Sequence, residues 1–185
     1  MSFLAALRFL TIIPLPGRRK ISPEEVGRSI VYFPVVGVII GLILVGLNWL
    51  LGQLLPSALV DLLLVISLVV ISGAFHLDGF VDTCDGMVGG KTVEERWRVM
   101  HDSRVGAFGI IGVACLLLTK YVSLNNVPED WLMPTLVLMP VISRWAMVYA
   151  VFAYPYAKPS GLGKAFKQGA GWWRFVIATV ITLAV

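Results

Sequence analysis

Four of the six aspartates in this 185-residue sequence, and both of its histidines, fall within 27 residues: His76, Asp78, Asp82, Asp85, His101 and Asp102. If the segment is helical, Asp78, Asp82 and Asp85 stand at i, i+4 and i+7 and share one face. Three carboxylates held that close repel one another at neutral pH, so a cation belongs among them. Mg²⁺ typically takes one or two carboxylates together with waters and substrate phosphates. The expected metal ligands are Asp78, Asp82 and Asp85, with Asp102 either completing the shell or holding Arg104 in place. A merely solvated helix end is the plain alternative. It would mix acids with Lys, Glu and Gln, whereas these acids are Asp only, interleaved with Gly79 and Gly86, which let backbone approach a ligand. The run also abuts an apolar segment, where charge is costly unless it is functional.

The cationic side of such a site follows in sequence. Arg104 suits a bidentate phosphate contact, and Gly106 and Gly109 put backbone N–H groups at a helix start, where an anion is favoured. His76 lies about 160° from Asp78 on a helical wheel. It joins the aspartates only if the backbone unwinds there, as a general base or a phosphate contact, and is otherwise a hydrogen-bonded helix-end histidine. Arg144, inside the fourth apolar run, is a buried cation in need of an acidic or phosphate partner. The aspartate cluster is the obvious one if the second and fourth runs pack together. The chemistry expected is Mg²⁺-dependent phosphoryl-group transfer: His76, Asp82 and Arg104 act on the reacting groups, and Arg104, Gly79, Gly86, Gly106 and Arg144 bind substrate.

The elements that position these residues are membrane helices. The sequence is 58% hydrophobic and 14% charged, with mean hydropathy +0.86, against about 45–50% and 25% in soluble domains. This predicts an all-α polytopic bundle of about five spans in one membrane domain, 1–185, with an N-terminal interfacial helix and an acidic loop at 76–105. The runs are 30–55, 58–75, 106–124, 131–153 and a fifth from Trp172 that reaches Val185 after 14 residues. Since about 20 are needed to cross, the protein is expected to continue further. Gly37-x-x-x-Gly41 is a close-packing motif. Ser22-Pro23-Glu24-Glu25 and Thr92-x-x-Glu95 read as helix starts. Cys115, within an apolar run, is read as packing, and Cys84 as a small neutral neighbour of the aspartates.

Lys and Arg are concentrated before the first run (Arg8, Arg18, Arg19, Lys20, Arg28), between the second and third (Lys91, Arg96, Arg98, Arg104), and between the fourth and fifth (Lys158, Lys164, Lys167, Arg174). The connections in between hold none. This alternation predicts a cytoplasmic N-terminus and a cytoplasmic acidic loop. The net charge of +4 is thereby explained without nucleic acid, since no Arg/Lys stripe is interleaved with aromatics.

Two stretches, Phe75-His76-Leu77-Asp78-Gly79-Phe80-Val81-Asp82-Thr83-Cys84-Asp85-Gly86 and Asp102-Ser103-Arg104-Val105-Gly106-Ala107-Phe108-Gly109, resemble the signature of the cobalamin (5′-phosphate) synthases, also called adenosylcobinamide-GDP ribazoletransferases. The opening Arg8-Phe9-Leu10-Thr11-Ile12-Ile13-Pro14-Leu15-Pro16 is similar too. The resemblance implies transfer of the adenosylcobinamide phosphate group from adenosylcobinamide-GDP to α-ribazole or its 5′-phosphate. GMP is released, with Mg²⁺, in the prokaryotic inner membrane, late in cobalamin biosynthesis. Members usually run some tens of residues longer. The expected partners are these two substrates and the lipid bilayer, and a homo-oligomer is left open.

Two rival readings remain at this level. A CDP-alcohol-type membrane phosphotransferase also sets aspartates and glycines around a metal, though with an Asp spacing that differs from this one. A cation transporter would place acids near the midplane on broken helices, whereas here they gather at one end of a span.

Overall fold

The structure, a computed structural model, describes residues 2–15, 22–157 and 161–185. The basic turn expected at 17–20 lies outside the described residues, as does Lys158. Ten α-helices are described: α1 (Ser2–Leu10), α2 (Pro23–Ser29), α3 (Phe33–Gly52), α4 (Ser57–Ile71), α5 (Phe75–Gly89), α6 (Val93–Met100), α7 (Ala107–Asn125), α8 (Glu129–Ala153), α9 (Leu162–Gly169) and α10 (Trp172–Leu183). A 3₁₀ turn over Ile30–Tyr32 joins α2 to α3, and no strand is present among the described residues. The all-α expectation is met. The α2–α3 run, α7 and α8 are each long and apolar enough to cross a membrane, and α4 with α5 makes a fourth such run if a bent pair counts as one. The apolar α10 is shorter, at 12 residues.

Contacts gather the helices into two compact units, Met1–Gln53 with Pro128–Val185, and Leu54–Val127. The first is built on the pairing of α3 with α8. Phe33, Val36, Ile40 and Leu44 of α3 and Leu136, Val141 and Val148 of α8 are buried here. Lipid is as apolar as these side chains, so the pair is held by close packing rather than by flight from water. Gly37 and Gly41 permit it. A Cβ on Gly37 would lie 2.6 Å from the Val141 Cα, and one on Gly41 2.7 Å from the Val137 Cα.

The short helices of this unit cover the end of that pair. α1, too short to span as expected, buries Ala5, Ala6, Leu7 and Leu10 against protein. Phe9 stacks on Phe33 and both meet Phe166 of α9, with ring centroids 4.8–5.9 Å apart. The Ser22 hydroxyl accepts from the Glu25 amide at 3.2 Å and Glu25 reaches back to the Ser22 amide, which completes the expected start of α2. The Lys167 ammonium donates to the Val151 and Phe152 carbonyls and so caps the end of α8.

The second unit holds α4 to α7. The second apolar run does not carry on into the acidic stretch. Gly73 (φ +65°) and Ala74 (φ +57°) are left-handed, and their amides donate to Val70 (2.9 Å) and Val69 (3.1 Å). This is the hydrogen-bond pattern of a Schellman stop, and α5 leaves it at 90° to α4. At the far end of α4 the Asp61 carboxylate, 6% exposed, accepts from the Asn125 side chain of α7 at 2.9 Å. Cys115, expected to pack, is exposed on α7.

Candidate active site

The segment carrying the aspartates is helical, so Asp78, Asp82 and Asp85 do share one side of α5. α5 packs on α7 through glycines. A Cβ on Gly112 would lie 2.6 Å from the Cys84 Sγ, and one on Gly109 2.6 Å from a Val81 methyl. Cys84, read from sequence only as a small side chain among the aspartates, thus packs against Gly112. Gly86 is buried and meets Met100 of α6, whose Cγ would lie 2.6 Å from an added Cβ. Its smallness serves the α5–α6 contact. Gly79 borders open space.

Asp85 decides how the two motif stretches meet. Its two carboxylate oxygens accept from the Gly106 and Gly109 amides, each at 2.8 Å. A carboxylate on the first turn of a helix satisfies two orphan donors and is favoured by the partial positive charge there. The amides expected to await a substrate anion are therefore held by the chain's own anion. Each Asp85 oxygen keeps a further lone pair.

Asp102 and Arg104 form a fork. The Arg104 Nε and Nη2 donate to Oδ1 (3.1 Å) and Oδ2 (2.8 Å), and the Arg104 amide adds a third bond to Oδ1 at 3.0 Å. The hydrogen bonds from Arg104 hold the Asp102 carboxyl at about 2, well below its ordinary value, and the same pairing raises the Arg104 pKa. Of the two roles expected for Asp102, holding Arg104 is the one visible in the geometry. Both side chains are exposed and line an open cleft of about 580 Å³ with Asp85, Gly106 and Phe108.

Asp78 is exposed and Asp82 half-buried, one turn apart on α5, and His76 is exposed in its first turn. Among the described residues no three His, Cys, Asp or Glu side chains converge closely enough to hold a metal ion by themselves. The donor set that remains, two aspartates at i and i+4, suits an ion that takes one or two carboxylates and completes its shell with phosphate oxygens and water. Arg144 lies in the other compact unit; it is 4% exposed, and its Nε and Nη2 have no hydrogen-bond partner among the described residues. Sequence reading passed over Gly112 and the Asp61–Asn125 pair. The three-residue glycine spacing 106, 109, 112 was a usable signal for the first.

Comparison with known proteins now bears on this arrangement. The family model described as cobalamin-5-phosphate synthase matches residues 2–185. This chain belongs to the cobalamin-5-phosphate synthase family. A relative from Geotalea daltonii is 41% identical over 182 residues, covering 98% of this chain and 73% of its own length. One from Roseiflexus sp. is 39% identical, covering 97% and 67%, and one from Pseudomonas putida 38% identical, covering 93% and 74%. All three bear the name adenosylcobinamide-GDP ribazoletransferase. No solved structure matches. As a cobalamin-5-phosphate synthase family member the chain is a transferase of cobalamin biosynthesis, and both motif stretches lie inside the matched region.

Proposed function

We propose that this chain transfers the adenosylcobinamide phosphate group from adenosylcobinamide-GDP to α-ribazole or its 5′-phosphate and releases GMP. The observation that carries the reading is the bidentate grip of Asp85 on Gly106 and Gly109. It ties the aspartate helix to the segment that carries the Asp102–Arg104 fork, so that Asp85, Asp102 and Arg104 line one open cleft. In the reaction, a ribazole hydroxyl oxygen bonds to the phosphorus attached to cobinamide, and the bond from that phosphorus to the GMP phosphate oxygen breaks. The hydroxyl proton passes to Asp82 or His76. Little covalent work falls to the protein, whose task is to position two phosphates and balance their charge.

Asp78 and Asp82 are the residues that would hold Mg²⁺, together with the substrate's diphosphate. When bound, the ion neutralises that diphosphate and eases departure of GMP. Arg104, oriented by Asp102, steadies a phosphate oxygen. Asp85 orders the start of α7 and so the wall of the cleft. The alternation of basic and neutral connections supports an active site at the cytoplasmic face of the inner membrane.

Membranes carrying the chain, given adenosylcobinamide-GDP and α-ribazole, should release GMP, and EDTA should stop the release until Mg²⁺ is restored. Release of CMP from a CDP-alcohol with no turnover of the cobinamide nucleotide would overturn the assignment.

A further inference from the structure

Arg144 lies within α8, in the unit built from α1–α3 and α8–α10. Only 4% of its surface is exposed. A guanidinium taken out of water without an anion is strongly unfavourable, and buried polar groups in native proteins are paired. Charged residues inside apolar helices mark ligand or ion sites.

The acids of its own unit do not answer it. This unit holds four acidic residues, Glu24, Glu25, Glu129 and Asp130. Glu24 is exposed beside Arg28, and Glu25 caps its own helix through Ser22. Glu129 and Asp130 open α8, about 21 Å along the axis from Arg144 at 1.5 Å per residue. The neighbouring Trp145 spends its indole N–H on Thr179 of α10.

The two orphaned nitrogens, Nε and Nη2, are not an arbitrary pair. They form one edge of the guanidinium plane, the edge that takes two oxygens of one anion side by side. Arg104 shows this use in the same chain, with its Nε and Nη2 on the two oxygens of Asp102. Arg144 presents the same edge with no hydrogen-bond partner among the described residues.

We infer that the Nε–Nη2 edge of Arg144 is a binding site for a phosphate group that the chain does not itself supply, either the phosphodiester of a lipid or a soluble phosphate. Phosphate offers the paired oxygens this edge selects, and a lysine, as a point charge, would not read them.

Thermal midpoints of the full chain in a maltoside detergent test this, for wild type and Arg144→Met. The probes are inorganic phosphate, pyrophosphate and short-chain phosphatidylglycerol. The midpoint of the wild type should rise with probe concentration, by about 5–10 °C at a hundredfold excess over Kd. The Met variant should show only the smaller rise any protein gains from an excluded salt. A rise with phosphate or pyrophosphate assigns a soluble source, and one with phosphatidylglycerol alone assigns a lipid. Equal responses of wild type and variant to all three probes overturn the inference. Should the Met variant fail to fold, Arg144→Lys should bind at least tenfold more weakly. In wild type the ¹⁵N resonance of the Arg144 Nε should then move on adding probe, and an unmoved resonance overturns the inference equally.

Discussion

Asp85 accepts a hydrogen bond from the amide of Gly106 at 2.8 Å, across 21 residues of sequence, while its second oxygen holds Gly109. One side chain therefore both caps α7 and ties α5 to it. Asn in its place keeps one acceptor oxygen and loses the charge. Asp85→Asn is expected to cost about 1–2 kcal/mol, the range for a lost cap at a helix start, and Asp85→Ala somewhat more. Detergent-phase thermal unfolding should show the midpoint falling in that order, with activity falling alongside as the cleft wall loosens. An Asn variant as stable as wild type would remove the cap from the account.

Asp82 carries a different expectation. Among the described residues its carboxylate has no bond comparable to that of Asp85, and it stands half-buried one turn from Asp78. Asp82→Asn should therefore abolish turnover, by at least a hundredfold, while insertion and thermal midpoint stay within error of wild type. Normal turnover at saturating Mg²⁺ would remove Asp82 from both the metal and the proton-acceptor roles.

How much of this was legible beforehand follows from the range of the interactions. The starts of α2 and α6 were readable because a capping box is complete within four residues, and the Gly37–Gly41 contact because both partners of the motif lie on one helix face. The cluster of aspartates was readable because nothing apolar accounts for it. The role of Asp85 was not. Its partners lie 21 and 24 residues away, and free amides at a helix start look the same in sequence whether substrate or side chain will fill them. The right-angled break before α5 was masked by the apolar Ala74 and Phe75, which prolong the hydrophobic run past Gly73.

That break yields a stability prediction. Ala74 holds φ +57°, a conformation that costs an L-residue with a Cβ roughly 1 kcal/mol and glycine almost nothing. Ala74→Gly is expected to raise stability by about 0.5–1 kcal/mol, offset in part by the greater freedom of glycine in the unfolded chain. Ala74→Val, with a branched side chain in the same backbone, should lower it. The order Gly above Ala above Val in thermal midpoint is the check.

The Asp102–Arg104 fork sets a pH expectation. The Asp102 carboxyl is held at about 2, below its ordinary 3.8. A depressed acid contributes stability that is fully present above the ordinary value and is lost as pH falls through the depressed one. Between pH 5 and 9 the fork should hence be unchanged, and any pH dependence of turnover there belongs to other groups. Carbon-13 titration of the Asp102 carboxyl should give a midpoint near 2 in wild type and a higher one in Arg104→Gln, still below the ordinary range because the backbone amide at 104 keeps its bond to Oδ1. An Asp102 that titrates normally in wild type would mean that the fork does not persist in solution.

The pairing of α3 with α8 supplies the last expectation. Gly41 stands against the backbone of α8, where an added Cβ would lie 2.7 Å from the Val137 Cα and 3.0 Å from the Leu136 carbonyl oxygen. Backbone cannot swing aside as a flexible side chain can, so the two helices must separate. Gly41→Ala is expected to cost about 1–3 kcal/mol by overpacking and Gly41→Val more. Gly46 lies on the same helix with open space around it, so Gly46→Ala should be neutral or slightly stabilising through helix propensity. If both alanine variants unfold at the wild-type temperature, α3 and α8 do not approach as closely as their glycines allow.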